Sequence, residues 1–113
     1  MSSYIDDNGV SWTVGTDDFN SSGDNTIISA PGEGRRLRVK YLVVQNVSTT
    51  DTTALIKWGS SIEHDFLLAG KLGVTIVGDL GNEWRLPANT ALIVNLSGGN
   101  AHKANFQYTI EKA

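Results

Sequence analysis

The stretch RRLRVKYLVVQNV, residues 35–47, decides the fold. Leu37, Val39, Tyr41 and Val43 alternate with Arg36, Arg38, Lys40 and then Leu42. A repeat of two sends successive side chains to opposite faces, which is the pattern of a β-strand. In the first half, charge fills one face, so that face meets solvent. In the second half, Leu42 and Val44 make it apolar as well. The strand is therefore expected to run from a half-exposed margin into a region covered on both sides.

Downstream the same grammar repeats. The polar run STTDTT (48–53) leads to ALIKW (54–58) and a turn at Gly59-Ser60. SIEHDFLL follows, closed by AGKLG, and then VTIVGDL with a turn at Gly81-Asn82. A short EWRL precedes Pro87-Ala88-Asn89, and ALIVNL meets Gly98-Gly99. The dipeptide suits a two-residue hairpin because glycine tolerates positive φ. In the last segment Ala104, Phe106, Tyr108 and Ile110 alternate with Asn105, Gln107, Thr109 and Glu111. No segment carries a convincing helical period. Short strands with turns every eight to twelve residues predict an all-β chain: a jelly-roll-like antiparallel β-sandwich.

The chain has 113 residues and no cysteine, so one domain with one core is expected, without disulfides or thiolate metal sites. Net charge is −3, too mild to imply nucleic acid. The opening MSSYIDDNGV has neither a basic nor an apolar signal region, and no apolar run approaches the ~20 residues that span a bilayer. Charge is unevenly placed. Residues 1–34 hold six acids and no Lys or Arg, whereas residues 35–113 hold all nine bases against six acids. An acidic extended N-terminal arm, 1–34, is thus expected to precede a β-sandwich body, 35–113. Tyr4, Trp12, Val14, Phe19, Ile27 and Ile28 punctuate the arm, too many large apolar groups for disorder. It should form short strands near 10–14 and 25–29 and pack on its own body or on a neighbour.

Glu63-His64-Asp65 has the composition of a catalytic cluster, but in a strand the histidine faces away from both acids. Ile62, His64 and Phe66 are expected on one face, Glu63 and Asp65 on the other. Two histidines without cysteine do not make a zinc site. Asp18, Asn20 and Ser22 take the early positions of a calcium loop, but Ser29 stands where the bidentate acid belongs. No catalytic, cofactor-binding or metal-binding residue is assigned, and no enzyme is expected. Arg36, Arg38 and Lys40, with Arg35 beside them, form a basic ladder about 6.6–7 Å in step. It is either an edge-protecting row or the landing site of the acidic arm. Trp12, Phe19, Arg35, Arg36, Arg38 and Lys40 are the candidate protein–protein contacts. Trp12, Trp58 and Trp84 also allow a sugar-binding reading. No aromatics interleave with the basic row as a nucleic-acid platform would need.

Residues 34–111 resemble small virion proteins of tailed phages. The resemblance rests on GRRLRVKYLVVQN, ALIKWGSS, LGNEWRLPANTALIVNLSGG and FQYTIE, with Asn89-Thr90 where a glycine often precedes the late strand. It implies a structural virion protein with a jelly-roll-like fold, without catalytic residues. The first choice is a head decoration, or cement, protein that binds the major capsid protein as a homo-oligomer, a trimer by preference. The alternatives are a neck, tail or baseplate component, or a fibre-tip module that binds glycan. The expected location is the virion, reached from the host cytoplasm, with no nucleic-acid or membrane partner.

Overall fold

The computed structural model describes residues 2–70, 73–77 and 83–113. Ten strands follow in order: β1 (Ser2–Ile5), β2 (Ser11–Phe19), β3 (Gly23–Ile28), β4 (Arg35–Asn46), β5 (Thr52–Trp58), β6 (Ser61–Leu68), β7 (Gly73–Val77), β8 (Trp84–Arg85), β9 (Leu92–Leu96) and β10 (His102–Lys112). One sheet runs β1-β2-β10-β4-β7, with β8 also on β4, and the other runs β3-β9-β5-β6. All pairings are antiparallel. Four strands ordered β2-β10-β4-β7 against four ordered β3-β9-β5-β6 is the double Greek key of a jelly roll. The turn expected at Gly81-Asn82 lies outside the described residues.

The core lies between the sheets. Leu37, Val39, Leu42, Val44 and Ala104 of the first sheet meet Ala54, Ile56, Leu92, Val94 and Leu96 of the second, all at most 1% exposed. The expected alternation of β4 needs one correction. Val39 pairs with Tyr108 and Tyr41 with Gln107, so Lys40 is an extra residue on β4. This bulge shifts the phase by one. Leu37 and Val39 point inward before it, and Leu42, Val44 and Asn46 after it. Tyr41 and Val43 thus leave the face of Leu37 for the outer face, where they are half-buried.

The first 34 residues do not project. Seven residue pairs join β2 to β10, and β3 lies along β9. The radius of gyration, 13.9 Å, is close to the ~13 Å of a compact chain of this length. The acidic segment is extended, as expected, but it docks on its own body and supplies two strands of the sandwich, so the body does not begin at residue 35. Phe19, Ile27 and Ile28 are core residues.

The loop after β4 is pinned from inside. Asn46 is fully buried and uses its whole amide. Its Nδ2 donates to the carbonyls of Thr50 (2.7 Å) and Leu68 (3.1 Å), and its Oδ1 accepts from the Ser48 N–H and hydroxyl. Gly70 lies so close that a Cβ there would sit 2.5 Å from the Thr49 carbonyl. Only glycine fits against that loop.

Candidate functional site

The acid–histidine–acid run lies on β6, and the three groups diverge. Ile56 pairs with His64 and Lys57 with Ile62, which makes Glu63 the extra residue of a second bulge. His64, Phe66 and Leu68 share the face of Ile56, Ala54 and Thr52, with His64 exposed at its margin, Phe66 half-buried and Leu68 buried. Ile62, expected beside them, is turned to the outer face opposite Lys57 and is 58% exposed. The Ser61 hydroxyl donates to Glu63 at 2.6 Å. The His64 ring stacks on Trp84, centroids 5.3 Å apart and planes 20° apart, and Trp84 meets Trp58 at 5.9 Å. Asp65 lies opposite Leu55. Among the described residues no hydrogen bond or ion pair joins any two of the three, and no cation lies within ion-pair distance of either acid. The stack ties the margin of one sheet to β8 of the other.

The basic ladder is used within the chain. Arg36 pairs with Glu111 at 2.6 Å, and Arg38 with Glu83. Arg85 approaches both acids at 3.5–3.9 Å. Arg38 and Lys40 also lie over the Trp12 ring, each 5.0 Å from its centroid. Trp12 sits on the outer face of β2, yet it is fully covered. Its Nε1–H donates to Asp6 at 2.8 Å, and Asp6 also accepts from the N–H groups of Asn8 and Val10. The Trp12 bond first, and then the Val10 bond, hold the Asp6 carboxyl below its ordinary range. The Tyr4 hydroxyl accepts from Lys40 at 2.9 Å and donates to Gln107 at 2.7 Å. The arm therefore reaches the ladder in cis, through Tyr4 and Trp12.

Phe19 is buried and stacked on His102, centroids 5.7 Å apart. Arg35 alone of the six candidate contacts is exposed. Trp12 is fully covered and Phe19 is buried, and Arg36, Arg38 and Lys40 are engaged at home. In the calcium-like loop Asp18 is engaged as well. Asp18 accepts from Lys103 at 3.1 Å, and Asn25 closes the turn onto the Ser21 and Gly23 carbonyls. Asp24 is bound by Asn95 and Lys57, and these bonds, Asn95 first, lower its pKa. Among the described residues no three His, Cys, Asp or Glu side chains gather at metal-binding spacing.

Sequence reasoning missed the outer margin of the second sheet. There Ile62 and Leu67 stand 58% and 66% exposed on β6, flanked by Leu55 and Ile93, with Lys57 neutralised by Asp24. Two large apolar groups thus stand exposed on one strand, beside an internally paired charge. The bulge at Glu63 put Ile62 there, and no residue type announces that bulge. Together the fold and this surface define a jelly-roll sandwich with an exposed apolar margin. Comparison with protein-family models and with curated proteins gives no match.

Proposed function

We propose that this chain is a structural virion protein of a tailed phage, a capsid decoration protein that binds the major capsid protein and bridges its subunits. The observation that carries the reading is a jelly-roll slab that engages its basic row with Glu83 and Glu111 on its own surface while leaving Ile62 and Leu67 bare on one margin. Such a surface adheres to protein. The strand-and-turn pattern of residues 34–111 supports the virion assignment. Oligomers, trimers first, fit a lattice, because many modest contacts reinforce one another when the units are linked.

The test is the ratio of this protein to the major capsid protein in purified particles, measured by quantitative mass spectrometry. Hundreds of copies are expected. A handful would move the protein to the neck, tail or fibre, and its absence from particles would overturn the reading.

A further inference from the structure

The chemistry of β6 specifies a partner. β6 is the last strand of its sheet: β5 lies on one side, and no described strand pairs with the other. Its outer face shows Ile62, Asp65 and Leu67, with Glu63 projecting from the bulge between the first two. An edge that only guarded itself would carry charge, as Glu63 and Asp65 do. It would not also expose two aliphatic side chains. Neither acid has a cation partner among the described residues, so both are free to meet one.

We infer that β6 is a docking edge for an extended segment of another protein, one that carries a basic side chain between two apolar ones on alternate positions. Added as a further strand, such a segment satisfies the open backbone groups of β6, sets its aliphatic groups against Ile62 and Leu67, and brings its cation to Asp65 and Glu63. A second copy of β6 fits poorly. Antiparallel pairing centred on Asp65 sets that acid against itself, and pairing centred on His64 sets Glu63 against Asp65. The chain's own basic row is already engaged with Glu83 and Glu111. The inference deepens the virion reading by giving the chemistry of the segment a capsid would present.

The experiment uses the full chain, labelled with 15N, and needs no particle, so its outcome is independent of the copy-number measurement. The probe is the capped peptide Thr-Val-Thr-Lys-Thr-Val-Thr, and the control has Glu in place of Lys. The lysine peptide is expected to shift and protect alternate amides of residues 61–68 at millimolar concentration. The glutamate peptide should bind about fivefold more weakly, the size of a cross-strand charge reversal. Asp65→Lys should exchange the two preferences, while a wild-type-like spectrum elsewhere shows that the variant is folded. Perturbation centred on the Arg36–Arg38 row, equal binding of both peptides, no binding at all, or dimerisation through β6 would each overturn the proposal.

Discussion

Trp12 shows what one residue can and cannot announce. An aromatic in a polar, acidic run is conspicuous, and its importance was legible. Its cover was not, because that cover is a loop closed by Asp6 on one side and two cations from β4 on the other. The cations come from positions more than twenty residues away. The same carboxylate makes the arrangement sensitive to acid. Asp6 has a folded pKa below the ordinary 3.8, so its bonds add stability above that value. The contribution fades as pH falls through the folded value. Asp6→Asn replaces one acceptor oxygen by a donor that opposes either the Trp12 or a backbone N–H. The variant is expected to unfold at lower urea than the native protein at neutral pH, with the gap closing as the pH drops below 3.8. Urea midpoints across that range decide it. A gap that stays constant with pH would show that the charge of Asp6 plays no part.

At the scale of the element, strand existence was legible and strand phase was not. The alternation around residues 35–47 and 101–113 locates β4 and β10 because one face of each is buried. The run YLVV gives no sign of which parity continues, since four apolar residues satisfy both. The bulge at Lys40 settles it. Glu63 does the same on β6, and it is why Ile62 was placed on the wrong face. Both bulges insert one residue, so removing that residue restores regular alternation. Deletion of Lys40 leaves Leu37, Val39, Leu42, Val44 and Asn46 on the inner face. It is expected to cost about 1 kcal/mol, the lost cation over Trp12 and Tyr4. Deletion of Val43 is different. The chain can then keep Leu42 inward, or Val44 and Asn46, but not both sets. Losing Leu42 from the core costs roughly 2–5 kcal/mol, and turning Asn46 out abandons four hydrogen bonds. Denaturation followed by circular dichroism would rank the two variants. Equal losses would mean that the bulge does not set the phase of β4.

For the whole molecule, the role of the first 34 residues was the least legible feature, and the reason is distance. DDFNSSGDN reads as a loop because Asp, Asn, Ser and Gly favour turns. Yet Asp18 and Asp24 sit on outer faces, where Lys103 and Lys57 receive them, while Phe19, Ile27 and Ile28 point inward. The strands that receive β2 and β3 are β10 and β9, some seventy to ninety residues away, so no local pattern reveals the pairing. Because the jelly roll counts β2 and β3 among its eight principal strands, two truncations should part company. Removing residues 1–9 takes away β1 and the cover of Trp12 but leaves both core sheets intact. That protein should remain folded and monodisperse, with a lower melting temperature. Removing residues 1–30 strips three core side chains and opens an edge on each sheet, at β10 and at β9. Phe106 (4% exposed) and Leu92 (0%) then face solvent beside unpaired backbone, a combination that invites edge-to-edge association. The longer truncation should therefore aggregate, as read by size-exclusion chromatography with circular dichroism. A soluble, β-rich product lacking residues 1–30 would show instead that β4–β10 form a self-sufficient body to which the acidic segment is merely appended.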